Sequence, residues 1–274
     1  MLHIKDIIPS PEMLRQINDI DAFKFKWQQQ YANKEFPYAG IWDYVQPKFA
    51  VITPQTDNAF MENFFTHVFS RMKNFKELNN YTNLLFDIYK NYPQIELSEA
   101  SIKHMHQRLF AATEMKTVIS GQYKTKHNHI TVYDKNRRKV TNCFEAASPE
   151  ETPHLMAELV TWTNANLASC VLHPLITIGI FAYYFLAIHP FLEGNGRVVR
   201  ALVILLLLKA RYTYMPYASF ESIIKLSMSS YYRALWLTNQ TIWSKNPNFA
   251  PWLSFFISAL EKHKLLLEEK VLEF

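Results

Sequence analysis

The 274-residue sequence predicts a mainly α-helical fold with one small β-hairpin. Hydrophobic residues make up 49% of the chain and charged residues 19%, which is typical of a folded protein rather than a disordered one. Only five glycines stand against 20 phenylalanines and 15 tyrosines, so we expect few tight turns. Apolar residues also recur at helical spacing in several segments that open with capping residues.

Three segments carry signals for the start of a helix. Ser10-Pro11-Glu12 combines a cap, a proline at the first position and an acid in the first turn. Ser98 precedes a second amphipathic segment, and Ser148-Pro149-Glu150-Glu151 has the pattern of a capping box. We expect the apolar stripes to form the core: Ile102, Met105, Leu109 and Phe110 in the second helix, and Trp252, Phe255, Phe256 and Leu260 in a final one.

Two long apolar segments flank a short polar turn near the middle of the chain. Residues 175–192 are almost wholly apolar and aromatic, and residues 201–208 are apolar without interruption. The first segment is long enough to raise the hypothesis of a membrane span. Tyrosines fill its middle and His189-Pro190 stands near its end, so we favour a buried central helix and expect no membrane partner.

The turn between these segments concentrates groups that handle a phosphate. It reads His189-Pro190-Phe191-Leu192-Glu193-Gly194-Asn195-Gly196-Arg197-Val198-Val199-Arg200. Its two glycines let the backbone turn sharply and come close to a ligand. A helix that begins near Asn195 directs N–H groups and the positive end of its dipole into the turn, where an anion binds readily. Arg197 and Arg200 can add charge-assisted contacts to phosphate oxygens.

Two further residues of the turn supply a base and a metal ligand. His189 is the only group there that ordinarily titrates near neutral pH, so it is the candidate general base. Glu193 is a hard oxygen ligand for Mg²⁺, which would bridge phosphates and neutralise their charge. Each residue alone has an ordinary explanation, such as a core histidine or a solvated helix face. Their joint occurrence predicts a phosphate-handling site.

The turn resembles the signature of the Fic (Fic/DOC) family, His-x-Phe-x-(Asp/Glu)-Gly-Asn-Gly-Arg-x-x-Arg, at every specified position. The resemblance extends over roughly residues 96–262 and implies a Fic-type helical bundle whose hairpin forms a flap near the active-site loop. It divides the chain into an N-terminal helical region (1–95), the Fic core with its C-terminal helices (96–262) and a tail (263–274). The implied activity is that of a protein adenylyltransferase, a nucleotidyltransferase that moves AMP from ATP to a Ser, Thr or Tyr hydroxyl of a target protein.

The resemblance also assigns a role to each matching position. His189 would deprotonate the target hydroxyl, and Glu193 would hold Mg²⁺. The residues that would bind ATP are Gly194, Asn195 and Gly196 as an anion hole, Arg197 and Arg200 on the β- and γ-phosphates, and Tyr231 and Tyr232 as candidates for the base pocket.

The most basic stretch, residues 124–139, is typical of a hairpin around an Asp134-Lys135-Asn136 turn. By resemblance this is the Fic flap, whose edge at Ile130, Thr131 and Val132 would pair with the target backbone. A basic flap favours an acidic target segment. Lys124 stands where many family members carry Arg. The net charge of +5 also allows a nucleic-acid footprint, but no DNA-binding helix pattern follows the core, so nucleic acid is the less favoured partner.

An internal inhibitor is predicted upstream of the core, in a helix around residues 56–73. Many Fic proteins carry an inhibitory helix of pattern (Ser/Thr)-x-x-x-Glu-(Gly/Asn). Here Glu62-Asn63 matches, and Asn58 replaces the Ser/Thr. A carboxylate paired with Arg200 would occupy the place that the γ-phosphate needs. The ordinary explanation of Glu62 is an acid at a helix N-terminus, stabilised by the helix dipole.

The expected partners are therefore ATP, Mg²⁺ and a target protein with an accessible hydroxyl, and the resemblance leaves a homodimer open. Residues 1–6 lack the apolar core of a signal peptide, which predicts a cytoplasmic protein or an effector secreted without a cleaved signal. Two other hypotheses stay open. One is a Fic enzyme that transfers another group, such as phosphate or phosphocholine, or that removes AMP. The other is a non-enzymatic nucleotide- or DNA-binding regulator.

Overall fold

The computed structural model describes residues 2, 4, 7–31, 75–111, 120–133 and 139–272. Its helices are α1 (Pro11–Gln30), α2 (Phe75–Asn91), α3 (Glu99–Leu109), α4 (Thr152–Ser169), α5 (Pro174–Ile188), α6 (Asn195–Lys209), α7 (Phe220–Leu226), α8 (Met228–Asn239) and α9 (Ala250–Leu272). Strands β1 (His129–Tyr133) and β2 (Lys139–Glu145) pair in antiparallel fashion. The mainly α-helical class is confirmed, and the two strands expected for the hairpin pair as β1 and β2.

Two of the three predicted start signals cap their helices as expected. The Ser10 hydroxyl accepts a hydrogen bond from the Met13 N–H at the start of α1. Ser98 caps α3 in a reciprocal capping box with Ser101. Ser148 and Glu151 also exchange two capping bonds, of 3.2 and 3.3 Å, but residues 149–151 form a turn and α4 begins only at Thr152.

Helices α5 and α6 form the centre of the molecule. Every residue from Leu175 to Ile188 is buried, and so is every residue from Ala201 to Leu208. Helix α5 packs against α4, α6 and α9, while α2 packs against α3 and α6. The central helix is thus buried in protein, as predicted. Across the described ranges, no helix is long and apolar enough to cross a membrane.

The chain ends differ from the predicted division. Helix α9 runs without a break to Leu272, so the expected tail at 263–274 continues a helix rather than following one. The physical reason is burial, because His263 and Leu267 pack into the core. Helices α1 and α2, from the predicted N-terminal region, pack directly against α9 and against α3 and α6.

One close contact holds the central helix against α9. A Cβ on Gly179 would lie 2.8 Å from a methyl carbon of Leu253 and 2.9 Å from a ring carbon of Phe256. The indole N–H of Trp252 donates to the Gly179 carbonyl oxygen at 2.7 Å. The two helices therefore approach as closely as a glycine permits.

We expect Gly179→Ala to lower the free energy of unfolding by about 1–3 kcal/mol, because the added methyl group overfills this contact. Alanine would otherwise favour the helix by about 1 kcal/mol, so the sign of the change is itself the test. Urea denaturation followed by circular dichroism measures it. In a double-mutant cycle with Leu253→Ala, the double variant should lose less than the sum of the single losses; additive losses would contradict the packing described.

Candidate active site

His189 ends helix α5 in a left-handed backbone conformation, with φ of 52°. Residues other than glycine adopt this conformation rarely, so the surrounding structure must hold it. Its Nδ1 lies 3.1 Å from the carbonyl oxygen of Leu186. A carbonyl can only accept a hydrogen bond, so Nδ1 carries the proton and Nε2 carries the lone pair. The candidate base therefore has a defined tautomer.

The protonation state of His189 differs from the one that the sequence suggested. The pKa of His189 is lowered to about 4, mainly by burial; the hydrogen bond to Leu186 opposes this shift, and the ammonium group of Lys124 adds to it. The side chain is thus neutral throughout the physiological range instead of titrating within it. A neutral imidazole is the form that can accept a proton.

The segment before β1 holds the end of α5 and the loop that follows it through their carbonyl oxygens. The backbone N–H of Lys124 donates to Pro190 at 2.8 Å, and its Nζ donates to Ile188 at 2.7 Å. The Asn128 side chain donates to Phe191 at 2.8 Å. Lys124 is only 3% exposed, and burial lowers its pKa to about 8. This lysine therefore supports the loop, whereas the sequence placed it in the basic stretch of the predicted hairpin.

Asn195 closes the loop from within. Its Oδ1 accepts from the Phe191 N–H at 2.9 Å, and its Nδ2 donates to the Phe191 carbonyl at 2.6 Å. The side chain is 1% exposed. The side chain is turned inward because Phe191 offers it both a donor and an acceptor, so the predicted place of Asn195 in an anion hole concerns its backbone N–H. Its backbone N–H still lies at the start of α6.

Sequence reasoning missed His106, which lies on the buried face of α3. Its ring is fully buried and stacks on Phe191, with the ring centroids 3.9 Å apart. Nε2 lies 3.0 Å from the carbonyl oxygen of Glu193, and the Gly121 N–H donates to Nδ1 at 2.9 Å. The only signal in the sequence is a histidine next to the apolar stripe of a helix.

The N-terminus of α6 has the geometry of an anion site. Gly194 adopts φ of 81°, and a Cβ there would lie 2.9 Å from a ring carbon of Phe110. The N–H groups of Arg197 and Val198 make the first bonds of the helix, both to Gly194 O. The N–H groups of Asn195 and Gly196 come before those bonds and have no acceptor within the helix, so they are available to an anion at the positive end of the dipole.

Both arginines of the loop are held by acids from other helices. Arg197 Nη1 lies 2.8 Å from the carboxylate of Glu77 in α2. Arg200 Nε lies 2.6 and 2.8 Å from the two carboxylate oxygens of Glu221 in α7, which also accepts a hydrogen bond from Tyr81. Both glutamates are buried. The sequence did not reveal these pairs, because Glu77 stands 120 residues and Glu221 21 residues from its arginine.

Glu193 is exposed on the loop, where its carboxylate can reach a ligand. In the part of the chain that the structure describes, no three His, Cys, Asp or Glu side chains cluster so that they could hold a metal by themselves. A single carboxylate fits Mg²⁺, which commonly takes one or two protein carboxylates and completes its coordination with phosphate oxygens and water.

The other predicted site residues, in the base pocket and the flap, lie outside the loop between α5 and α6. Tyr231 lies in the aromatic core, 5.6 Å from Trp252 between ring centroids, and burial raises the pKa of its phenol. Tyr232 is partly buried next to it. Ile130, Thr131 and Val132 belong to β1 and pair with β2, with register irregularities on both sides of the Thr131–Val132 step. The predicted inhibitory helix with Glu62 and the hairpin turn at 134–138 lie outside the described residues.

Comparison with known proteins shows a likeness to the Fic/DOC family. The sequence profile of the Fic/DOC family matches residues 96–207. Over 114 residues the chain is 32% identical to protein adenylyltransferase Fic of Drosophila willistoni, a match that covers 42% of this chain and 20% of that relative. A crystal structure of a Fic family protein from Desulfovibrio desulfuricans G20 has a TM-score of 0.60 at 18% identity, covering 96% of this chain and 76% of that one. A variant of IbpAFic2 in complex with adenylylated Cdc42 has a TM-score of 0.51 at 18% identity, covering 93% and 71%.

The chain therefore contains a segment, residues 96–207, that matches the Fic/DOC family. Its match spans a fifth of the length of the Drosophila relative. At 18% identity, the two structural likenesses show a shared Fic fold.

We expect Asn195→Asp to lower the free energy of unfolding by about 2–4 kcal/mol, because it removes the donor to the Phe191 carbonyl and buries a charge beside it. Thermal and urea denaturation at neutral pH measure the loss. Asn246→Asp, the same change at an exposed position, is the control and should alter stability by less than about 0.5 kcal/mol. Equal effects at the two positions would show that Asn195 does not close the loop.

Proposed function

We propose that this chain is a protein adenylyltransferase, which transfers AMP from ATP to a hydroxyl group of a target protein. One observation carries the proposal. The same short loop holds a neutral histidine with its lone pair on Nε2 and the N-terminus of a buried helix that bears two arginines. A base beside an anion site is the arrangement needed to activate a hydroxyl for attack on a phosphate.

The chemistry assigned to His189 is proton transfer. The target hydroxyl attacks the α-phosphate of ATP in line, Nε2 accepts the hydroxyl proton, and pyrophosphate leaves. General base catalysis of this kind contributes roughly 10²- to 10⁴-fold to the rate. Burial keeps the imidazole neutral and so ready to accept the proton at any physiological pH.

The phosphates of ATP would lie at the start of α6. The N–H groups of Asn195 and Gly196 are directed there, and Arg200 lies against the same turn, since a Cβ on Gly196 would meet its Nη1 at 3.2 Å. Glu193 is the residue that would hold Mg²⁺. The ion, when bound, neutralises the charge that develops on the phosphates.

Acidic residues compete with the nucleotide for the arginines. Glu77 and Glu221 already bind Arg197 and Arg200, so a triphosphate must share these guanidinium groups or displace the carboxylates. We extend this competition to Glu62, whose sequence pattern resembles that of an inhibitory helix. A carboxylate on Arg200 in place of the γ-phosphate would leave the α-phosphate misaligned for attack.

The relatives support this assignment of substrates. The Drosophila relative is named a protein adenylyltransferase, and the IbpAFic2 variant was solved with adenylylated Cdc42. The protein substrate would approach the flap, since the segment that leads into β1 contacts the loop through Lys124 and Asn128. Pairing of a target backbone with the edge of β1 would present the target hydroxyl to His189.

We expect the protein to incorporate label from ATP radiolabelled at its α-phosphate, in the presence of Mg²⁺, once the competing carboxylate is removed. Glu62→Gly should label itself more strongly than wild type, and Glu62→Gly/His189→Ala should not incorporate label. Autoradiography of the denatured protein measures the covalent product, and omission of Mg²⁺ tests for the metal.

The same assay separates the alternatives. Equal labelling of wild type and Glu62→Gly would remove the inhibitory role of Glu62 but leave the transferase in place. If the α-phosphate label is absent from all three proteins while label from the γ-phosphate or from a phosphocholine donor is retained, the enzyme uses another donor, and the proposal of AMP transfer is wrong.

We expect Glu77→Gln to tighten ATP binding by about three- to tenfold, because it keeps the shape of the side chain while releasing the charge of Arg197 to the phosphates. Isothermal titration calorimetry with a non-hydrolysable ATP analogue measures the affinity.

Asp87→Asn is the matched control for Glu77→Gln. Asp87 lies on the same helix α2 and pairs with Arg108, which is not part of the loop. The control removes the same charge but should leave the affinity within about twofold of wild type. Weaker binding by Glu77→Gln would mean that Glu77 orients Arg197 for the nucleotide rather than competing with it.

A further inference from the structure

We propose that His106 is a positioning residue that directs the N–H group of Gly194 into the anion site by binding the carbonyl oxygen of Glu193. The catalytic consequence rests on the proposed function. The orientation of the Gly194 N–H group does not rest on it, because it concerns one peptide group of the loop and can be tested without a reaction.

The hydrogen bonds of His106 permit one tautomer only. The Gly121 N–H donates to Nδ1 at 2.9 Å, so Nδ1 carries a lone pair and not a proton. Nε2 must then carry the proton, and it donates to the carbonyl oxygen of Glu193 at 3.0 Å. A doubly protonated ring would place two N–H groups against each other at Gly121. His106 is therefore a neutral donor to the loop.

The surroundings of the ring reinforce this state. The side chain has no exposed surface, so solvent does not compete for its two ring nitrogens. The ring stacks on Phe191 at an interplanar angle of 16°, and Phe110 packs at 4.9 Å. These contacts leave the imidazole one orientation, and so they determine the direction of the N–H that it offers.

The bond acts on the anion site through the planarity of the peptide group. The peptide between Glu193 and Gly194 is trans, so its C=O and its N–H point in opposite directions. Because the carbonyl is turned toward His106, the Gly194 N–H is directed to the opposite side of the loop. Gly194 itself has a left-handed backbone conformation. Successive N–H groups around such a residue form a concave site for an anion.

A purely structural role for His106 predicts a different result. If His106 only filled the core under Phe191, any substitution would loosen the whole region, and no single amide would respond to the particular hydrogen bond that was lost. Two variants each keep one of the two hydrogen bonds of the ring and remove the other. His106→Asn keeps an acceptor near the position of Nδ1, and His106→Gln keeps a donor near the position of Nε2.

The chain is suited to this test because it contains only five glycines, namely Gly40, Gly121, Gly179, Gly194 and Gly196. Protein labelled with the nitrogen isotope only at glycine therefore gives five amide resonances in a correlation spectrum. Single Gly→Ala variants assign them. Gly179, at the contact of α5 and α9, reports whether the core is intact.

The proposal expects a reciprocal pattern in the free protein. In His106→Asn the Gly194 resonance moves and the Gly121 resonance stays, while in His106→Gln the Gly121 resonance moves and the Gly194 resonance stays. Gly179 is unchanged in both variants. A Gly194 resonance that stays in His106→Asn, or that moves equally in the two variants, overturns the proposal. Should His106→Asn fail to fold, His106→Gln decides alone by the same criterion.

Titration with inorganic pyrophosphate and Mg²⁺ tests the consequence for the anion. Pyrophosphate should shift the Gly194 resonance of the wild type, and His106→Asn should bind it about tenfold more weakly than His106→Gln. Equal affinities would overturn the role in anion binding. If pyrophosphate does not bind to the wild type at all, the proposed function fails, whereas the reciprocal pattern in the free protein still decides the role of His106.

Discussion

Carbonyl oxygens of the last residue of α5 and of the loop that follows accept hydrogen bonds from residues outside the loop, and the orientation of the whole site depends on this constraint. Lys124 binds those of Ile188 and Pro190, Asn128 those of His189 and Phe191, and His106 that of Glu193. A peptide whose carbonyl is held on one side must direct its N–H to the other. The loop therefore holds its N–H groups in fixed directions. Gly194, at the end of the loop, connects them to the N–H groups of the first turn of α6.

The packing that holds the loop also determines its protonation. His106 and Lys124 are buried next to the loop, and burial lowers the pKa of each. The pKa of His189 is lowered for the same reason, with the buried ammonium of Lys124 adding to the effect. Two neutral histidines and one buried cation result. One histidine keeps a lone pair for chemistry, and the other keeps a donor for the backbone.

Charge balance around α6 follows a second rule. Two arginines in the first turns of a helix would repel each other and the helix dipole, and the acids of α2 and α7 compensate for both. Partly buried ion pairs of this kind carry a desolvation cost. Replacing the carboxylate by a phosphate keeps the arginine paired, so this exchange is less unfavourable than leaving the arginine without an anion. Under the proposed function, the same ion pairs that stabilise the two arginines oppose the binding of a triphosphate. The competition that we propose therefore comes from acids of the described core, in addition to the inhibitory role that we propose for Glu62.

The sequence by itself determined the helices, the buried pair α5 and α6, the hairpin and the chemical inventory of the loop, because capping residues, apolar periodicity and a contiguous motif are local properties. Only the tertiary structure decided that Asn195 turns inward, that His189 is neutral, and that His106 and Glu77 belong to the site. Those properties arise from burial and from contacts between residues far apart in the chain. A pKa depends on how much water surrounds a group and on which charges lie near it. An ion pair depends on which helices pack together. The spacing of residues along one segment predicts neither property.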